Sequence, residues 1–177
     1  MGDNVDRVLE QWRTEKPGLD ASPMGVVGRV QRAARLLERE LADYFATHGL
    51  QLWEFDILAT LLRSGSPYRL TAGALSAASM ITSGAMTNRL NRLVARELVT
   101  RETDPDNRRS LLITLTEEGH RTVEAALEGH VANEARLLTG LSGPDQGRLA
   151  DLLRELLTGL GDVPRRDDRR DHPSRSG

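Results

Sequence analysis

A chain of 177 residues with 38% hydrophobic content is long enough to bury a core, and with no cysteine it has no disulfide framework, thiolate metal site or thiol switch. A net charge of −2 argues against a protein that coats nucleic acid over its whole surface, but leaves room for a local basic patch. His48, His120, His130 and His172 have no partners at metal-ligand spacing, the start MGDNVDRVLEQW has no apolar signal core, and no apolar stretch is long enough to span a bilayer. The expectation is a cytoplasmic protein with no metal, no cofactor and no membrane partner.

Residues 3–16 place Val5, Val8, Leu9 and Trp12 on one helical stripe that stops near Pro17-Gly18. A second helix runs from about Ser22 to Thr47, with apolar positions Met24, Val27, Val30, Ala34, Leu37, Leu41 and Tyr44, and closes at His48-Gly49. A third spans Gln51 to Arg63 through Trp53, Phe55, Ile57, Leu58 and Leu61, followed by the loop SGSPYR. A short helix over Thr71 to Ala77, N-capped by Thr71, precedes a longer one over Thr82 to Glu97, capped by Thr82 or Ser83. In the longer helix Met86, Leu90, Leu93 and Val94 form an apolar stripe, while Ser83, Thr87, Asn88, Asn91 and Arg92 occupy the opposite face.

The period then changes to two. LVTRET and SLLITL read as strands of a hairpin, joined by a type I turn at Asp104-Pro105-Asp106-Asn107, with Arg108 and Arg109 at the tip. Thr116 caps a helix over about 117–139, and Ser142 with Asp145 opens a last helix over about 143–160 with six leucines on one face. The remaining tail is charged and nearly free of apolar residues, which reads as disorder. The fold class is therefore mainly α with a small β-hairpin.

A short helix, a tight turn and a longer helix form the helix-turn-helix pattern, and a basic hairpin directly after it makes a winged version. Small polar residues and amides suit entry into a major groove, and arginines at a hairpin tip suit the narrow minor groove. Between Thr82 and Ser110 six arginines outnumber four acids, although on charge alone a solvated helix face accounts for this. His48, His120 and His130 read as helix-surface or interface residues.

The runs FDILATL, LTAGAL, SGAMTNRLNRL, ELVTRETDPDNRRS and ITLTEEG occur in order from Phe55 to Gly119. In them the chain resembles the MarR family, over roughly residues 22–160. The resemblance implies a transcriptional repressor that binds a palindromic double-stranded DNA operator as an intertwined helical homodimer. It assigns 1–18 to an added N-terminal helix, 19–48 and 117–161 to dimerisation, 49–116 to the winged helix-turn-helix lobe and 162–177 to a disordered charged tail. DNA contacts would come from Ser83, Thr87, Asn88, Asn91 and Arg92 on the recognition helix and from Asn107, Arg108 and Arg109 on the wing. Asn107 stands where the family often has Asp, so the wing keeps a hydrogen-bond acceptor but loses a charge.

The added helix with Trp12 resembles the urate-responsive branch of the family. That likeness implies an effector site for a small organic anion, such as urate or another purine or carboxylate, at Trp12, Asp56, Arg89 and Arg101. Two guanidiniums suit a planar anion and an indole can stack on it. Simpler uses remain: Trp12 as an apolar anchor, Asp56 with Arg89 as a structural ion pair, Arg101 as a phosphate contact. The competing functions are a DNA-binding regulator without an effector and a helical dimeric adaptor that no longer binds DNA. An enzyme is not expected, because no nucleophile triad, metal cluster or phosphate loop can be assembled; Gly73 and Gly84 sit inside helical patterns with no strand before them.

Overall fold

The computed structural model describes residues 2–79 and 86–163. They fall into two units, Met1–Arg136 and Leu137–Gly177, each taken by itself. Thr82 and Ser83, the expected caps of the longer helix, lie outside the described residues, as does the tail from 164 onward.

The first helix, α1 (Asn4–Glu15), starts where Asp3 accepts bonds from the N–H groups of Val5 and Asp6, while Asp6 returns one from the Asp3 N–H at 2.8 Å. Arg29 of α2 (Ser22–Ala46) reaches the same two carboxylates, at 2.8 and 2.6 Å. The cap of one helix is thus its joint to the next. The Asp6 N–H, with the Arg29 guanidinium behind it, holds the Asp3 carboxyl below the usual carboxylate range. The end of α2 needs a left-handed residue: Gly49 has φ +66°, its N–H bonds the carbonyl of Ala46, and the Leu50 N–H returns to Phe45.

Helix α3 (Leu52–Arg63) buries Phe55, Ile57, Leu58 and Leu61. A short strand β1 (Arg69–Thr71) and the short helix α4 (Ala72–Ala78) follow, and Thr71 both ends the strand and caps the helix, accepting from the Ala74 N–H at 3.1 Å. After α5 (Met86–Ala95) come strands β2 (Val99–Thr103) and β3 (Leu111–Leu115), which pair antiparallel with Arg101 opposite Ile113. Helix α6 (Glu117–Leu137) completes this unit, its start capped by Thr116, which accepts from the Gly119 N–H at 2.9 Å. In the second unit α7 (Gly143–Gly159) is capped by Ser142 as expected.

The structure adds detail to three expectations. The hairpin is part of a three-stranded sheet in the order β1-β3-β2, because Arg69, Leu70 and Thr71 pair with Thr114, Ile113 and Leu112. Three residues behind a proline are too few to show an alternating pattern, so in the sequence they merge with the SGSPYR loop and the helix that follows it. The tip is two turns, not one: Asn107 N–H bonds Asp104 O, then Ser110 N–H bonds Asn107 O, which puts Arg108 and Arg109 in the second. Finally, His130, expected at the helix surface or an interface, is largely covered by its own chain. Its side chain is 14% exposed and lies against Phe45, Phe55 and Tyr44, with ring centroids 4.9, 4.8 and 6.2 Å away.

One continuous core joins α2, α3, α4, α5, the sheet and α6 through Phe45, Leu58, Leu75, Leu93, Ile113 and Val123. It includes a stacked Phe45–Phe55 pair with centroids 4.2 Å apart. At Gly119 α6 passes close to its neighbour, since a β-carbon there would lie 2.1 Å from the backbone oxygen of Leu98. A backbone atom cannot rotate away, so Gly119→Ala is expected to lower stability by about 2–3 kcal/mol in a urea titration. An unchanged midpoint would show that the β2 edge yields freely.

Candidate nucleic-acid interface

Helix α5 divides cleanly. Met86, Leu90 and Leu93 are buried, and Thr87, Asn88, Asn91 and Arg92 are exposed on the far side. The burial alternates by threes and fours because only one face meets α3 and the sheet. Its C-terminal end is fixed in two ways. Glu97 adopts φ +57° while the Leu98 N–H returns to Leu93 O, the same closure that Gly49 gives α2. Beside it Arg96 reaches across to Glu54, near the start of α3, at 2.6 Å.

The Glu54–Arg96 pair is not anticipated by the sequence. The Glu54 side chain is 2% exposed and that of Arg96 41%. The same carboxylate oxygen also accepts the Gln51 N–H at 2.9 Å, and the other arm of Arg96 donates to Gly49 O at 3.0 Å. Three chain segments therefore meet at one carboxylate. A Gln51…Glu54 spacing is the N-cap to N3 signature of a helix start, and it is the one signal the sequence offers for this site.

The first turn of α3 also carries Trp53, which by its spacing reads only as an apolar position. Its ring is half-buried, its indole N–H donates to Gln51 Oε1, and the guanidiniums of Arg89 and Arg92 lie 5.5 and 5.1 Å from its centroid. Asp56 follows three residues later on the same helical face, half-buried, with its carbonyl accepting from Thr60 Oγ1 at 2.6 Å.

Arg101, on the strand after α5, donates to Asn91 Oδ1 at 2.7 Å. This bond joins β2 to the exposed face of α5. Arg108 and Arg109 are exposed, and Asn107 Oδ1 accepts the Arg109 backbone N–H at 3.2 Å, so the amide at this position shapes the turn itself. Trp12 stands apart. It is 37% exposed on α1, which packs on α2, and among the described residues no guanidinium sits over it. The structure thus brings Arg89 to Trp53 and Arg101 to Asn91, and does not bring Trp12 to either.

A polar helix face flanked by a hairpin with two exposed arginines can present donors to bases and phosphates. A MarR family model matches residues 48–110, the span from the end of α2 through the hairpin tip. Over 149 residues the chain is 38% identical to the HTH-type transcriptional regulator PecS of Dickeya dadantii (strain 3937), covering 84% of this chain and 90% of that one. The chain belongs to the MarR family. It is a DNA-binding transcriptional regulator of that family, not an enzyme. Its fold is similar to that of the MarR family regulator Sco3205 from Streptomyces coelicolor, solved in complex with DNA (TM-score 0.72, 26% identity, 80% of this chain and 89% of that one). It also resembles that of Bordetella bronchiseptica BpsR (TM-score 0.68, 23% identity, 78% of this chain and 94% of that one), a likeness of fold alone.

Removal of Arg96 would leave a buried carboxylate with only a backbone donor. Arg96→Ala is expected to cost about 2–3 kcal/mol, somewhat less than a fully buried pair because the arginine is itself part-exposed. The paired Glu54→Leu/Arg96→Leu variant should recover part of that loss. Equal destabilisation in both, followed by urea unfolding, would mean that packing and not charge governs the site.

Proposed function

We propose that this MarR-family protein is a homodimeric repressor that α5 and the hairpin hold on a palindromic operator, and that a small organic anion releases it. Thr87, Asn88, Asn91 and Arg92, with Ser83 from the sequence, read the major groove. Arg108 and Arg109, set by Asn107, contact the backbone or minor groove. The dimer draws support from apolar side chains left exposed in a single chain, among them Val26, Val27 and Leu36 on α2 and Leu152, Leu156 and Leu157 on α7.

The observation that carries the effector reading is the Arg101–Asn91 bond. It ties a cation assigned to the anion to an amide assigned to the DNA. An anion that takes Arg101 and Arg89 frees Asn91 and shifts the charge behind the reading face. Asp56 then orients Arg89; Trp12, which lies away from both arginines within one chain, is the part of the assigned site that a second protomer of the dimer would have to supply. A coupling of about 1–3 kcal/mol would weaken operator binding about 5–150-fold.

Gel shifts on the protein's own upstream intergenic DNA test this reading. Urate is the first probe; 6-hydroxynicotinic acid, which regulates DNA binding by BpsR, is the second. Loss of the complex on adding either is expected, with Arg89→Ala and Arg101→Ala blunting the response. A complex indifferent to both probes and to other purines and carboxylates removes the effector and leaves a plain DNA-binding regulator. Without effector, Arg108→Ala should flatten the salt dependence of binding by about one unit for each phosphate that the arginine neutralises. An unaltered slope would place that arginine off the DNA.

A further inference from the structure

Trp53 carries two cations to which the proposed function gives different tasks. Arg92 faces the DNA, Arg89 faces the effector, and both guanidiniums lie within 5.5 Å of one ring centroid. A guanidinium this close to an indole face is attracted by its π-electrons. The ring is itself held, since its N–H donates to Gln51, whose own backbone N–H is bound by the buried Glu54. It stands on the turn of α3 that Glu54 ties to Arg96. Arg92 is otherwise exposed. An arginine without a seat samples many rotamers, all but one of which must be given up on meeting DNA.

We propose that Trp53 is a positioning residue of the reading helix, seating Arg92 for DNA and Arg89 for the effector on a single indole. The effector half rests on the function proposed above; the DNA half needs only that α5 meets DNA. Two like charges over one ring repel each other. When an anion neutralises Arg89, that repulsion falls and Arg92 is drawn further onto the ring, away from the groove. Trp53 is then a second connection between anion and operator, independent of the Arg101–Asn91 bond. An indole that only fills space between α3 and α5 would do none of this.

A double-mutant cycle separates the two roles. Operator affinity is measured by fluorescence anisotropy, on labelled upstream DNA, for the wild type, Trp53→Leu, Trp53→Phe, Arg92→Ala and the Trp53→Leu/Arg92→Ala pair. Trp53→Leu should weaken binding about three- to tenfold, with Phe restoring part of the loss. The double variant should bind no more weakly than Arg92→Ala alone. Additive losses would overturn the seating of Arg92. If thermal melting shows that Trp53→Leu does not fold, the Trp53→Phe/Arg92→Ala pair carries the same cycle. Repeating the series with urate tests the other half: wild-type binding should fall by a larger factor than that of Trp53→Leu. Equal factors would overturn the link to Arg89 while the effector reading stands. A wild type that ignores urate and 6-hydroxynicotinic acid would sink the effector reading and the Arg89 half with it, and the cycle without ligand would still decide the Arg92 half.

Discussion

A single buried carboxylate fixes the C-terminal end of α5. Glu54 closes the first turn of α3 through the Gln51 N–H and pairs with Arg96, whose other arm holds Gly49 O. Such a group cannot be left half-satisfied, since an unpaired charge in a low-dielectric setting costs more than almost any packing gain returns. The end of α2, the start of α3 and the end of α5 must therefore meet at one point. Everything on the exposed face of α5 takes its orientation from that junction.

The same turn of α3 brings Trp53 under Arg89 and Arg92, and the same end of α5 leads directly into β2, where Arg101 returns to Asn91. Thr116 completes the joint from the far side of the hairpin, donating through its hydroxyl to Glu97 O and through its N–H to Leu98 O. Helix, strand and the helix after them are locked by polar bonds at one end. Arg89 and Arg92 lie within two helical turns of that end, and Arg101 follows it on β2.

Much of this architecture was legible. Long stripes at helical spacing located α1, α2, α3 and α7 to within a residue or two, the cap at Thr116 located α6 equally well, and Thr71 and Ser142 announced their helices because side-chain oxygens at those spots satisfy otherwise stranded N–H groups. What escaped was short or distant. Strand β1 is three residues long, and Glu54 and Arg96 are 42 residues apart with nothing local to pair them. Trp53 shared its spacing with the core residues around it, and spacing cannot tell an indole that fills space from one that supports cations. His130 read as a surface or interface position, and nothing local told that its imidazole lies among three aromatic rings of its own chain. The four residues picked for the anion are spread over four elements, and within one chain Trp12 lies away from the cations.

The closure of α5 on Glu97 has a mechanical consequence. A non-glycine residue at φ +57° is an uncomfortable conformation that only its surroundings maintain. Here those surroundings are the Leu98 return bond, the Thr116 bond and the ion pair one residue earlier. With that end clamped, the helix cannot slide along its axis or gain a turn without breaking all of them together. An adjustment of α5 that keeps these bonds is a rotation about this end, and in it the side chains furthest from the end travel furthest.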